Sequence, residues 1–205
     1  MANTKEALRS LLAQLSVIRG RITLSSGAVS EYYFDCKRVM LSADGAPLVG
    51  EVFLEAIKNV PERPLAIGGL THGADPIIGA VMMKAAGQGL RLDGFYIRKG
   101  PKKHGTQRLI ENAPAAGTPV VIVDDVVTKG GSAVKAIEGA ESAGCRVVSV
   151  IVLVDRREGG AEVIRAKVPE AQYVAIFTLE NFLDIDEIGR EWNKNSRQLS
   201  PAASM

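Results

Sequence analysis

The sequence predicts an α/β fold with a central parallel sheet flanked by helices, and three observations carry that prediction. Strand-length runs at 65–68, 94–98, 120–123, 146–154 and 173–178 are apolar nearly throughout rather than alternating, the pattern of strands covered on both faces. Helix-length segments separate them, at 44–59, 75–86, 132–143 and about 161–166, which is the alternation that builds parallel sheets. Three strands run directly into glycine-bearing turns, at 68–73, 130–131 and 159–160.

Ahead of this alternation, residues 4–18 place Leu8, Leu11, Leu12 and Leu15 at helical spacing, with Thr4 as cap and Glu6 in the first turn. Residues 21–24 and 32–34 read as two short strands around the turn at 25–27, a small appendage to the main sheet. From 44 to 178 no internal repeat or linker interrupts the pattern, so 1–205 reads as one domain: about 1–40 as helix and appendage, about 41–188 as α/β core. Residues 189–205 are polar and contain Ser and Pro, and are expected to be a weakly ordered tail.

A length of 205 residues with 46% hydrophobic and 23% charged composition allows a sizeable core. The net charge of +2 is too small for a protein that coats nucleic acid, so basic function must come from local clustering. Cys36 and Cys145 make no pattern and read as free thiols of a reducing compartment; only His72 and His104 could join them on a metal. The amino terminus carries charges where a signal peptide needs an apolar run, and the longest apolar stretch, 147–154, is too short to span a bilayer. A cytoplasmic protein without membrane or nucleic-acid partners is expected.

The chemistry concentrates in 120–133, VVIVDDVVTKGGSA. Two adjacent charges are poorly tolerated inside a strand, so Asp124 and Asp125 should sit where the strand leaves the sheet, before a turn at 128–131 and a helix opening at Ser132. Loops at the carboxyl ends of parallel strands are where open α/β sheets bind ligands. Backbone N–H groups at the glycines and the helix N-terminus suit a phosphate. The carboxylates repel phosphate but accept hydrogen bonds from sugar hydroxyls, or bind a divalent cation. Together these describe a ribose 5-phosphate; the bland alternative is an Asp pair that only caps the turn.

Two further segments carry charge with purpose. RKGPKKHGTQR, 98–108, holds five formal positive charges, one histidine and no acid. Such a loop suits a departing pyrophosphate, on whose oxygens charge builds as a C–O bond breaks; a solvated surface loop or a nucleic-acid patch would look the same. Arg156 follows the strand at 146–154, beside Gly159 and Gly160. A planar guanidinium holds a carboxylate through two parallel hydrogen bonds, and the alternative is a surface pair with Asp155, with Arg157 as the neighbouring decoy.

Residues 120–133 resemble the phosphoribosyl pyrophosphate (PRPP) loop of the type I phosphoribosyltransferases. The segments at 20–35, 67–77, 94–111 and 152–160 narrow the resemblance to the orotate phosphoribosyltransferase family, in that family's order and over most of the chain. The resemblance implies a type I phosphoribosyltransferase fold with an N-terminal hood, Mg²⁺ as cofactor, and a homodimer with shared active sites. It implies transfer of ribose 5-phosphate from PRPP to orotate, giving orotidine 5′-monophosphate and pyrophosphate in pyrimidine biosynthesis.

By the same resemblance Asp124, Asp125, Lys102 and His104 are catalytic. PRPP is held by Arg98, Lys99, Lys102, His104, Asp124, Asp125, Val126 and Val127, and its 5-phosphate by Thr128, Lys129, Gly130, Gly131 and Ser132. The Lys129 side chain reaches either that phosphate or water. Orotate is held by Thr128 and Arg156, with 25–30 and 32–34 near its ring, and 68–73 meets pyrophosphate. No residue is assigned as a metal ligand. The sequence departs from the family pattern at Ser25, His72, Gly100 and Lys129. The rivals are a purine or uracil phosphoribosyltransferase, which has no use for Arg156, and a PRPP-sensing regulator, which would add a nucleic-acid-binding element.

Overall fold

In the computed structural model the described residues are 2–23, 29–100 and 109–186. Helix α1, Ala2–Leu15, precedes the antiparallel strands β1, Val17–Thr23, and β2, Val29–Phe34. A four-residue helix α2, Lys37–Met40, leads to α3, Gly45–Lys58. Then follow β3 (Ala66–Leu70), α4 (Asp75–Gly87), β4 (Asp93–Ile97), β5 (Ile110–Glu111), β6 (Pro119–Val127) and α5 (Gly131–Ser142). The order closes with β7 (Arg146–Asp155), α6 (Gly160–Lys167), β8 (Gln172–Thr178) and a 3₁₀ helix, Leu179–Asp186.

The main sheet has the order β5-β4-β3-β6-β7-β8, and its strands are parallel except for β5. Each face is covered as the apolar runs require. On one side Val121 and Val123 of β6 pack with Leu8 and Leu12 of α1, Val49 and Phe53 of α3, and Ile77, Ile78 and Val81 of α4. On the other, Val120 and Ile122 pack with Ala133, Ala136 and Ile137 of α5 and Ile164 of α6. Alternate residues of one uninterrupted apolar strand thus serve two cores.

Several expectations change. The first helix stops at Leu15, not at residue 18, because the β-branched pair Val17 and Ile18 pairs opposite Phe34 and Tyr33 in β1. Thr4 lies inside that helix rather than capping it. The sheet is not wholly parallel: Arg98 N donates to Leu109 O at 2.8 Å and β5 runs back along β4, so the basic segment joins the two arms of a hairpin.

The largest correction concerns β6, which continues through both acids to Val127 instead of ending at 123. Its partner β3 pairs only as far as Gly68 opposite Ile122, whereas β7 pairs on to Asp155 opposite Val127. The second half of β6 therefore has a strand on one side only. The acids occupy a crevice at the carboxyl end of the sheet while keeping strand geometry.

Neither α2 nor the 3₁₀ helix was legible as an element. Both are fixed by packing: Val39 and Met40 are buried, and Phe182 stacks edge-on against Phe34 and Phe177, with centroids 5.3 and 5.8 Å apart. This ties β2 to the main sheet.

Candidate active site

After Val127 the chain turns through Thr128 and Lys129 to Gly130, whose φ of +81° is a left-handed conformation that glycine adopts without strain. Helix α5 starts at the next residue, one before the expected Ser132, and Gly131 and Ser132 are exposed at its open end. A Cβ on Gly130 would lie 2.9 Å from Gly160 O, and one on Gly160 would lie 2.5 Å from Thr128 O. The turn before α5 and the turn before α6 are therefore in backbone contact. Arg156 N also donates to Val127 O at 2.9 Å.

The acid pair sits at the mouth of this cradle. Asp125 N donates to Asp124 Oδ1 at 3.0 Å, and Val126 N donates to Asp125 Oδ1 at 2.9 Å. Across the crevice the loop after β3 closes on them: a Cβ on Gly73 would lie 2.5 Å from Asp125 Oδ1 and 2.7 Å from Asp124 Oδ1. Two carboxylates and two loop backbones thus meet at one point.

Asp124 is buried, and that burial, reinforced by the charge of Asp125, pushes its carboxyl up from 3.8 to about 8. The folded protein consequently holds a proton that the unfolded chain releases. Between those two values stability must fall as pH rises, with a slope approaching about 1.4 kcal/mol per pH unit, and it is fullest below the unfolded value. Urea unfolding of the ligand-free protein from pH 5 to 8 should show this decline, and Asp124→Asn should flatten it. An unchanged slope in the variant would place the decline elsewhere.

Sequence reasoning did not find Lys37, whose Nζ lies 3.1 Å from Asp125 Oδ2. Although partial burial works against its charge, Asp125 holds the Lys37 ammonium above its ordinary range. No local pattern marks Lys37, since a four-residue helix has no periodicity and its partner lies 88 residues away.

Arg156 is buried, and its Nη2 lies 2.7 Å from Glu158 Oε1. The surface pair with Asp155 does not form. Asp155 is buried at the end of β7 and accepts bonds from Tyr173 OH at 2.9 Å and Arg157 N at 2.7 Å. Glu158 beside Arg156 and Tyr173 beside Asp155 are contacts that sequence reasoning missed. Arg157 turns away with φ +58° and faces Glu180 at 3.6 Å. Lys129 is exposed, and its Nζ donates to Glu158 O at 3.0 Å, a second tie between the two turns.

Arg98 directly follows β4, half-buried, with Nη1 3.4 Å from Glu111 Oε1, and Lys99 beside it is exposed. Lys102 and His104 lie outside the described residues, as do 25–28 of the hood. His72 is exposed, with Nδ1 3.5 Å from Asp75 Oδ2.

The phosphoribosyl transferase domain pattern matches residues 46–180, from α3 into the start of the 3₁₀ helix. The orotate phosphoribosyltransferase of Streptomyces avermitilis is 42% identical over 166 residues, covering 81% of this chain and 90% of that one. The chain belongs to the orotate phosphoribosyltransferase family. The Sorangium cellulosum orotate phosphoribosyltransferase is likewise 42% identical, over 184 residues and 89% of this chain and 94% of that one. Among solved structures, the Mycobacterium tuberculosis orotate phosphoribosyltransferase in complex with PRPP superposes with a TM-score of 0.71 at 33% identity, covering 87% of this chain and 98% of that chain. The family's α/β fold is therefore the fold described above.

Proposed function

We propose that the chain transfers ribose 5-phosphate from PRPP to orotate, releasing pyrophosphate and forming orotidine 5′-monophosphate for pyrimidine biosynthesis. The observation that carries this reading is the buried guanidinium of Arg156, a residue whose backbone N donates to Val127 O where β6 enters the turn before α5. A carboxylate is what separates orotate from other pyrimidines, and a buried planar cation is its natural receptor.

In this reading the turn 128–132 takes the 5-phosphate and Asp124 and Asp125 take the ribose hydroxyls. As the C1–O bond breaks, positive charge grows on the ribose ring, and the Asp125 carboxylate, charged where its neighbour Asp124 holds a proton, stabilises it from a fixed position. Arg98, Lys99, Lys102 and His104 receive the departing pyrophosphate, and orotate nitrogen attacks the opposite face of C1. Little covalent chemistry is asked of the protein; positioning and electrostatics suffice.

Magnesium fits the donor chemistry, since carboxylates are hard oxygen ligands. Among the described residues no group of three or more His, Cys, Asp or Glu could hold a metal. Asp124 and Asp125 would therefore hold the ion jointly with substrate oxygens. When bound, it neutralises charge building on the pyrophosphate.

The working form in this proposal is a cytoplasmic homodimer in which the basic loop serves the partner's site. Among the described residues no helix is long and apolar enough to cross a membrane. Mixing inactive Lys102→Ala chains with inactive Asp125→Asn chains should restore part of the activity through hybrid dimers. Absence of recovery, once subunit exchange is verified, would count against shared sites.

A further inference from the structure

The turn between β7 and α6 fixes Arg156 at both ends. Its backbone N donates to Val127 O at 2.9 Å, and two residues on, Glu158 places Oε1 2.7 Å from its Nη2. The backbone that carries Glu158 has little room to shift. Asp155 anchors its start, accepting Tyr173 OH at 2.9 Å and Arg157 N at 2.7 Å, and Lys129 Nζ donates to Glu158 O at 3.0 Å. Just beyond, a Cβ on Gly160 would lie 2.5 Å from Thr128 O. The side chain of Arg156 is 6% exposed and that of Glu158 30%, so a buried cation meets an acid held at the rim.

We propose that Glu158 is the positioning residue of the base site: its carboxylate holds the Arg156 guanidinium in the orientation that receives the carboxylate of orotate. The inference rests on the reading that Arg156 binds orotate. Two effects support it. A long arginine side chain has rotamer freedom that a substrate would otherwise have to remove, and a guanidinium already held loses less of it on binding. A buried cation also needs a counter-charge while the site is empty. A guanidinium carries five N–H donors, so it can take a substrate carboxylate without giving up Glu158. Repulsion between the two carboxylates works in the opposite direction, but Glu158 lies at a water-exposed edge where that repulsion is screened.

The test is steady-state kinetics with orotate and PRPP varied in turn. Glu158→Ala should cut kcat/KM for orotate about tenfold, the worth of one hydrogen bond to a charged group, through KM and with the KM for PRPP within about twofold. Glu158→Gln keeps an oxygen that can accept Nη2 but loses the charge, so it should fall between wild type and alanine; it also serves if the alanine variant fails to fold. Because Glu158 acts through Arg156, adding Glu158→Ala to Arg156→Gln should cost nothing further, whereas independent roles would multiply. An orotate KM that is unchanged or lower in both Glu158 variants would overturn the proposal, a lower one meaning that Glu158 competes with substrate for Arg156. A rise shared equally by PRPP, or a full extra loss in the double variant, would overturn it too, leaving Glu158 a part of the turn alone. The two layers separate cleanly: if Arg156→Gln weakens orotate and the Glu158 variants do not, only the positioning role fails. If Arg156→Gln leaves the orotate KM and kcat unchanged, the reading of the base site fails.

Discussion

Asp125→Asn should lower turnover by two to three orders of magnitude while the protein stays folded. The amide keeps the shape of the carboxylate and can still accept Val126 N, but it removes the negative charge facing the ribose ring as that ring becomes cationic. Losing one preorganised electrostatic partner of a transition state typically costs about 2.7–4 kcal/mol, a factor of about 10²–10³ in rate. The stability effect should be small, since the partner left behind, Lys37, is half-exposed and regains water. Initial rates of pyrophosphate release, measured beside circular dichroism melting curves, separate the two effects. Unchanged turnover would remove the acid pair from the chemistry.

Arg156→Gln should cut kcat/KM for orotate by about 10²–10³ and leave the KM for PRPP within about threefold. The size follows from removing a buried, charge-assisted partner of a carboxylate, worth about 2–5 kcal/mol when one side is truncated. The selectivity follows from geometry: Arg156 meets the PRPP turn through its backbone N, which glutamine retains, while its side chain faces Glu158. Steady-state kinetics with each substrate varied in turn reads both constants. A loss shared equally by the two substrates would mean that the side chain supports the whole cradle rather than the base.

The parts of this molecule that follow from local chemistry were legible in the sequence. Apolar runs announced every long strand of the sheet, because strands buried on both faces have no polar side to show. The acids, the glycines and the helix start after them identified the turn and open helix end that follow β6, since backbone N–H groups can be exposed only where the chain turns. What failed was set by partners distant in sequence. The strand β6 was expected to end before Asp124 because two buried charges look intolerable in a ladder, yet β3 pairs only to Gly68, leaving room for both. Val17 and Ile18 suited the helical period as well as a strand, and only pairing with Phe34 and Tyr33 decides between them.

At the site the same division holds. Asp124, Asp125 and Arg156 stood out as charges at strand ends, whereas Lys37, Glu158 and Tyr173 matter through what they touch. Glu158 and Lys129 illustrate this: the carboxylate takes the Arg156 guanidinium and the carbonyl takes the lysine, so one loop residue ties the turns before α5 and α6 together. Neither bond has a signature in spacing. The β5 arm of the hairpin, two residues long, was likewise too short to announce itself.

Pyrophosphate release from PRPP and Mg²⁺, with orotate, uracil, hypoxanthine and adenine offered separately, tests the central claim most directly. The buried guanidinium of Arg156, whose backbone N is bonded to the end of β6, predicts release with orotate alone. Release with uracil or a purine at a comparable rate would contradict it, leaving a phosphoribosyl transfer whose base is not chosen by Arg156.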